Sequence, residues 1–249
     1  MEILRCENLR KTFNGSQALT GLSLELPTSG ITAIIGPNGA GKTTLLNILT
    51  GFIQPDDGRC FFGCREITRL PPHRIVRLGV GRTFQDLRLT LQVSVLENVL
   101  VACPNQRGER LLPALLRVGV AADDVRNQAE AIRLLRFVGL EQKGEELAGE
   151  LSYGQQKLLT LVCCLATGAQ ILLLDEPVAG IHPEMAARLL DLLRELRDTG
   201  KLVVFVEHDI ASVRQVADSV IVMDQGNVIA QGPPSEILDR PEIIEAYLA

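Results

Sequence analysis

The sequence predicts an α/β protein with a mostly parallel sheet, and three observations lead to this prediction. Short apolar strands alternate with helical segments over much of the chain. Two of these strands, residues 31–35 and 202–206, are apolar except for the β-branched Thr32, which is typical of strands buried on both faces. A glycine-rich loop joins the first of them to a helix. Alternation of this kind gives a parallel sheet covered by helices.

The N-terminal part of the chain predicts a small antiparallel β region at the edge of the fold. Residues 3–6 and 18–26 have strand character, and residues 14–16 (Asn-Gly-Ser) form a turn sequence between them. After the first helix, residues 55–58 indicate another turn and residues 79–84 a further strand.

From residue 93 to about residue 148 the pattern becomes helical. A stripe of Val125, Ala129, Ile132 and Leu135 has the spacing of one helix face. We interpret this stretch as a helical subdomain inserted into the α/β core.

Strand–helix alternation then resumes. The predicted elements are strands at 171–174 and 202–206 and helices at 183–199 and 210–217. A hairpin over residues 220–230, with Gly226 in its turn, precedes short C-terminal helices.

The composition indicates an ordered protein with a large core. The 249 residues are 46% hydrophobic and 22% charged, with a net charge of −5. This charge argues against a nucleic-acid partner, because nucleic-acid binding relies on Lys and Arg neutralising phosphates. No apolar run approaches the roughly 20 residues of a membrane-spanning helix, and the first five residues lack a signal-peptide pattern. We expect a soluble, cytoplasmic chain.

The six cysteines are expected to be reduced thiols. They show no C-x-x-C pair, and two of them are adjacent in an apolar run. Cys60 and Cys64 have the spacing of half a metal site, but no second pair or suitably spaced His completes it.

The glycine-rich loop has the sequence of a nucleotide phosphate-binding loop. It matches G-x-x-x-x-G-K followed by Thr, and its residues are Gly36, Pro37, Asn38, Gly39, Ala40, Gly41, Lys42, Thr43 and Thr44. The glycines let backbone N–H groups approach an anion at the N-terminus of a helix. Lys42 is predicted to reach the β- and γ-phosphates, and the Thr43 hydroxyl to ligate Mg²⁺.

Two acids follow the apolar residues 171–174. Acids after a buried strand often simply begin a loop, but a P-loop's Mg²⁺ needs an acidic partner at the carboxyl edge of a neighbouring parallel strand. Asp175 is therefore the predicted metal ligand. Glu176 is predicted to polarise an attacking water, which makes the predicted reaction phosphoryl transfer to water.

A second candidate anion site precedes the apolar helix at 158–165. Its residues are Leu151, Ser152, Tyr153, Gly154 and Gln155. Ser152 has the character of a helix N-cap. Its hydroxyl, the glycine and the free amides of a helix start can also bind an anion, so two half-sites suggest a shared active site.

Together with Gln85 and His208, these motifs resemble those of the nucleotide-binding subunit of ABC transporters, over essentially the whole chain. The resemblance implies a P-loop NTPase core with an antiparallel β subdomain in residues 1–92. It implies a helical signature subdomain in 93–157, and the rest of the core in 158–249. It also implies a head-to-tail dimer in which Ser152 and Gly154 of one subunit close on ATP held by Lys42 of the other.

The resemblance assigns further roles to single residues. It gives His208 a γ-phosphate-sensing role and Gln85 a Mg²⁺ or water contact, so that Glu176, His208 and Gln85 form the catalytic set with ATP and Mg²⁺. Phe13 stands where the family stacks an aromatic ring on adenine. Read alone, His208 would be structural and Phe13 a core residue. His182 departs from the aspartate of many relatives, and both a pH-sensitive coupling role and a simple cap or solvent-facing role remain open.

Residues 82–85, the loop at 179–181, the long helical insert and the ending at 243–248 look like the ATPases of the branched-chain amino acid importer group. That group includes importers of urea and short amides. Similar features occur in the ATPase of lipopolysaccharide export, so export remains an alternative, as does a non-transport ABC ATPase.

The implied partners are membrane permease subunits, a second ATPase subunit that is identical or different, and indirectly a periplasmic or lipoprotein solute-binding protein. The implied location is peripheral, on the inner face of the cell membrane.

Overall fold

Two sheets organise the computed structural model, which describes residues 4–84, 87–104, 120–241 and 243. The strands of the first sheet are β1 (Leu4–Phe13), β2 (Ser16–Glu25), β4 (Asp57–Phe62) and β5 (Arg65–Glu66). They lie in the order β2-β1-β4-β5, and every pair is antiparallel. The predicted antiparallel N-terminal region is confirmed, and it also takes in residues 57–66.

The second sheet has six strands among the described residues. They are β3 (Gly30–Ile35), β6 (Val80–Arg82), β7 (Ile171–Asp175), β8 (Leu202–Val206), β9 (Ser219–Asp224) and β10 (Asn227–Gly232), in the order β10-β9-β3-β8-β7-β6. All neighbours are parallel except the β9–β10 hairpin. The predicted mostly parallel sheet is therefore confirmed, and its strand over 79–84 is shorter than predicted.

Helices cover this sheet. They are α1 (Lys42–Leu49), α2 (Pro72–Arg77), α3 (Val95–Ala102), α4 (Val120–Val138), α5 (Tyr153–Ala166), α6 (Pro183–Asp198), α7 (Ile210–Val216) and α8 (Pro234–Ile237). Short 3₁₀ turns at Glu141–Lys143 and Ala148–Glu150 connect α4 to α5. Within the part of the chain that the structure describes, no helix is long and apolar enough to cross a bilayer.

The core has two layers, one on each face of the six-stranded sheet. Ile31, Ala33 and Ile35 of β3 pack with α3 to α7. Ile34 points the other way and packs with α1 and the antiparallel sheet, as the two-residue period of a strand requires. The helix that follows the glycine-rich loop is therefore fixed between the two sheets.

The predicted apolar stripe on α4 is wrong at three of its four positions, because Val125, Ala129 and Ile132 are exposed and only Leu135 is buried. Val125 is 70% exposed and Ile132 is 39% exposed, whereas Ala131, Leu134 and Val138 are buried. The buried face is thus rotated from the predicted one, because it also takes in polar residues that an apolar-periodicity rule passes over.

The register of the parallel strands aligns three carboxyl ends at one edge. Asp175 of β7 pairs with Val206 of β8, and Val206 pairs with Ile34 of β3. The loops that follow these strands therefore emerge together, and they carry the glycine-rich loop, Glu176 and His208.

Candidate functional site

The glycine-rich loop forms the floor of an open cavity of about 410 Å³ at this edge. The cavity is lined by Ala18, Asn38, Gly39, Ala40, Gly41, Lys42, Thr43, Thr44, Glu176, Val206 and His208. A Cβ on Gly39 would meet no atom within 4 Å, so the backbone at this point faces open space. The structure thus brings most of the predicted loop together with Glu176 and His208.

The backbone of the loop admits only glycine at its last position before α1. Gly41 has φ 95° and is the N-cap of α1, and a Cβ there would lie 2.5 Å from the carbonyl oxygen of Ala18. No side chain caps the amides of this helix. The helix N-terminus is therefore open to an anion in the cavity.

Lys42 is buried beneath the loop. Its Nζ donates to the carbonyl oxygens of Gly36 at 2.7 Å and Pro37 at 2.9 Å. Burial lowers the pKa of this ammonium, and the charges of Glu176 and Asp175 oppose that shift. The lysine is thus held by neutral carbonyls, which a phosphate oxygen can replace.

Asp175 ends β7 in a buried ion pair that the sequence did not predict. Arg82 Nη2 donates to Asp175 Oδ2 at 2.9 Å, and Arg82 Nη1 donates to Asn47 Oδ1 of α1 at 2.6 Å. Burial lowers the pKa of Arg82, while the bond to Asp175 raises it. The pair fixes the Asp175 carboxylate between β6 and α1. The sequence held one signal for this pair: Arg82 ends a short strand, and Asp175 ends another.

Glu176 and His208 lie beside each other in the cavity lining. His208 Nε2 lies 3.2 Å from Glu176 Oε1. The backbone of Glu176 is left-handed, with φ 48°, a conformation that costs a non-glycine residue of the order of 1–2 kcal/mol. Its amide donates to the carbonyl oxygen of Val206 at 3.0 Å.

Two charged residues behind Glu176 were also missed from the sequence. Lys157 Nζ donates to the carbonyl oxygen of Glu176 at 2.6 Å. Glu207 accepts from the amide of Val178 at 3.0 Å and from that of His208 at 3.2 Å. Burial raises the pKa of Glu207, although these two amide bonds and the charge of Lys157 oppose the shift. Glu207 follows an apolar strand as Asp175 does, but nothing in its spacing distinguishes it from a loop acid.

The segment at residues 151–155 forms a helix start that is capped by its own side chains. Ser152 is the N-cap of α5; its Oγ accepts from the amide of Gln155 at 3.4 Å, and Gln155 Oε1 accepts from the amide of Ser152 at 3.0 Å. Gly154 packs so closely that a Cβ would lie 2.8 Å from Met185 Cγ. Leu151 is buried, while Tyr153 is 47% exposed. None of the five residues lines the cavity described above.

Phe13 and His182 do not line the cavity, and Gln85 cannot be placed relative to it. Gln85 lies outside the described residues. Phe13 ends β1 half-exposed, with Lys11 Nζ 5.4 Å from its ring centroid. His182 is the exposed N-cap of α6, and its side chain makes no capping hydrogen bond.

Comparison with known proteins identifies close similarity along the whole chain. The family profile described as "ABC transporter" matches residues 19–179. A probable branched-chain amino acid transport ATP-binding protein LivG of Archaeoglobus fulgidus is 38% identical, covering 100% of this chain and 96% of that protein. A high-affinity branched-chain amino acid transport ATP-binding protein BraF of Pseudomonas aeruginosa is 39% identical, covering 99% and 97%.

Solved structures give the same result for the fold. The ADP conformation of an ATP-binding cassette of an ABC transporter superposes with a TM-score of 0.87 at 35% identity, covering 100% of this chain and 99% of that one. A dimeric post-hydrolysis cassette bound to ADP and Pi gives a TM-score of 0.77 at 25% identity, covering 93% and 98%.

Proposed function

The chain belongs to the ABC transporter family, as an ATP-binding subunit that hydrolyses ATP, and on that premise we propose that it powers the uptake of branched-chain amino acids or related small polar solutes through a membrane permease. One observation supports the catalytic part above others: a single cavity is lined by the glycine-rich loop, Lys42, Glu176 and His208. The substrate class is supported by the names of relatives that match along their full length.

ATP would bind with its phosphates over the open N-terminus of α1. The loop residues that line the cavity, 38–44, supply backbone amides, and Lys42 exchanges its carbonyl partners, Gly36 and Pro37, for phosphate oxygens. Phe13 would stack on the adenine.

The donors near this loop fit Mg²⁺, because a hydroxyl and a carboxylate are oxygen ligands of the kind that this ion prefers. Thr43 and Asp175 would hold the ion, with Gln85 as a further ligand. The ion would neutralise phosphate charge when bound. Arg82 keeps Asp175 in place through the bond from Nη2 to Oδ2.

Glu176 orients the attacking water and accepts its proton. The contact between His208 Nε2 and Glu176 Oε1, at 3.2 Å, fixes the direction of this carboxylate. His208 senses the γ-phosphate from the same edge of the cavity. The two side chains thus hold the water and the phosphate in line, and such positioning supplies most of the rate in phosphoryl transfer.

Two ATPase subunits close head to tail around the nucleotide, and the second subunit is the same chain or a different one. Ser152 and Gly154 lie outside the cavity of their own chain, which supports a role across the dimer, and a related cassette is dimeric with ADP and Pi. The closed pair acts on permease subunits from the inner face of the membrane. A solute-binding protein delivers the solute to that permease.

Replacing Glu176 by Gln tests the catalytic assignment. We expect ATP affinity within about threefold of the parent, hydrolysis at least about 100-fold slower, and an ATP-bound dimer that persists in size-exclusion chromatography. The carboxamide keeps the size of the side chain but cannot accept the proton. Glu195→Gln, at an exposed acid of α6, serves as the control. Hydrolysis at the parental rate in E176Q would remove Glu176 as the base.

Transport is tested with the full complex. The chain is purified from its native membranes with the subunits that accompany it, and the complex is reconstituted in vesicles with the solute-binding protein. We expect ATP-dependent movement of labelled leucine, isoleucine or valine toward the side that carries the ATPase, and none with E176Q. Movement in the opposite direction, or of a lipid only, would contradict the proposal.

A further inference from the structure

Glu176 has an unusual backbone for a residue with a carboxylate to aim. Among the described residues, the other non-glycine residues with positive φ are Asn8, Asn14 and Gln225. Asn14 and Gln225 each precede a glycine in a two-residue hairpin turn, where the turn itself requires this conformation. Glu176 is not in a hairpin turn: it leads from β7 into the loop before α6, where its carbonyl oxygen accepts from the amide of Ala179 at 3.3 Å. Other contacts must hold it.

Besides the backbone hydrogen bonds of Glu176, two buried charged side chains contact its carbonyl group and the loop that follows it. Lys157 Nζ donates to the carbonyl oxygen of Glu176 at 2.6 Å, and Glu207 Oε1 accepts from the amide of Val178 at 3.0 Å. Glu207 Oε2 also accepts from the amide of His208 at 3.2 Å. The same carboxylate therefore ties the loop after Glu176 to the loop that carries His208.

The burial of these charges points to a positional role. Lys157 is 8% exposed and Glu207 is 2% exposed. Burying a charged group is unfavourable unless it is paired and hydrogen-bonded, and apolar residues can often fill the same volume equally well. Lys157 and Glu207 hydrogen-bond the peptide groups at and beside Glu176, and an apolar pair could not do so.

Lys157 belongs to α5, the helix that begins after Ser152. Its Nζ lies 5.5 Å from the ring centroid of Tyr153, and a Cβ on Gly180 would lie 3.4 Å from that ring. The first two turns of α5 are therefore packed against the loop that follows Glu176.

We propose that Lys157 and Glu207 are positioning residues that hold Glu176 in its left-handed conformation and so aim its carboxylate into the cavity. Because Lys157 is part of α5, the aim of Glu176 is tied to the helix that starts at the 151–155 segment. This proposal rests on the assignment of Glu176 as the base.

The test combines a structural readout with kinetics. In Lys157→Met, which keeps the apolar stem but removes the donor, we expect faster hydrogen–deuterium exchange at residues 176–180 in the nucleotide-free chain. We also expect kcat for ATP to fall about 10- to 100-fold while KM stays within about threefold, because a displaced base affects chemistry more than binding.

Lys201→Met is the matched control. Lys201 Nζ also donates to a backbone carbonyl, that of Ala169, at 2.6 Å, and burial lowers the pKa of both lysines. We expect it to lose stability without altering exchange at 176–180 or kcat. Lys157→Arg restores a donor, and we expect it to recover at least about tenfold of the lost kcat.

Glu207→Gln covers the case in which K157M does not fold. The carboxylate uses one oxygen for each backbone N–H, and in Gln one of these oxygens becomes an NH₂ donor facing an N–H donor, so we expect faster exchange at 176–180 and a lower kcat with KM retained. Parental exchange and parental kcat in a folded K157M or E207Q would overturn the proposal. A parent chain that bound and hydrolysed no ATP would instead overturn the proposed function, and the nucleotide-free exchange would still test the positioning.

Discussion

The N-termini of α1 and α5 both have sequences suited to phosphate, but side chains cap the start of α5 and leave the start of α1 uncapped. At α1 the N-cap is Gly41, no side chain bonds the helix amides, and the backbone faces a cavity of about 410 Å³. At α5 the N-cap is Ser152, which forms a reciprocal capping box with Gln155.

This difference separates two kinds of anion site. The first turn of α1 retains the orphan amides that every helix start has, so it can bind phosphate within one chain. The first turn of α5 has already satisfied one amide through Ser152 Oγ, and it lies outside the cavity. The α1 start is therefore open to phosphate in the single chain, whereas under the proposed function α5 meets only the nucleotide held by a partner subunit.

Among the variants that test this comparison, Lys42→Ala should have the largest effect, which is on ATP affinity. The variant removes the charge that faces the phosphates, so we expect ATP affinity to fall at least about 100-fold, which corresponds to about 2.7 kcal/mol. Isothermal titration calorimetry on the isolated chain measures it. Lys143→Ala, at a lysine paired with Glu146 in the connection before α5, is the control. Parental affinity in K42A would mean that α1 does not bind the phosphates.

Much of the fold and of the cavity was predictable because local rules determine it. The apolar run before Gly36 and the acids after residues 171–174 each specify a buried strand and its end. Parallel pairing then requires those ends to meet at one edge. The hairpin turns at Asn14 and Gln225 follow from the glycine after each.

The residues that the sequence did not predict act through long-range contacts. Arg82 and Asp175 are 93 positions apart, and Lys157 meets Glu176 only through the packing of α5 on the loop. A lysine on a helix and a glutamate after a strand each have an ordinary solvent-facing interpretation. Only the assembled core shows that both are buried, which is also why the exposed Val125 on α4 was predicted as buried.

Ser152→Ala should have an intermediate effect: it should lower stability slightly and weaken the dimer without weakening ATP binding by the monomer. Loss of the cap costs about 1 kcal/mol, or about 2–4 °C in Tm for a chain of this size. We expect the monomer to bind ATP within about twofold of the parent. Nucleotide-driven dimerisation of the E176Q background, measured by analytical ultracentrifugation, should weaken about tenfold.

Ser94→Ala separates the two roles of Ser152. Ser94 makes the same reciprocal capping box with Glu97 at the start of α3, away from the cavity. We expect S94A to lose a similar amount of stability without weakening the dimer. If both variants affected the dimer equally, Ser152 would be a cap alone.

His182→Asp should have the smallest effect, because α6 offers a third condition: an N-cap with no capping bond, at a helix start that does not line the cavity of the glycine-rich loop. An aspartate there can accept from an amide of the first turn and complements the helix dipole, so we expect a gain of about 0.5–1 kcal/mol in calorimetry. ATP affinity and the pH–rate profile should match the parent. A profile that shifts in H182D but not in a stability-matched variant would assign pH-sensitive coupling to His182. The starts of α1 and α6 are equally uncapped, and α1 differs in its glycine backbone, which leaves its first turn open to the cavity of about 410 Å³.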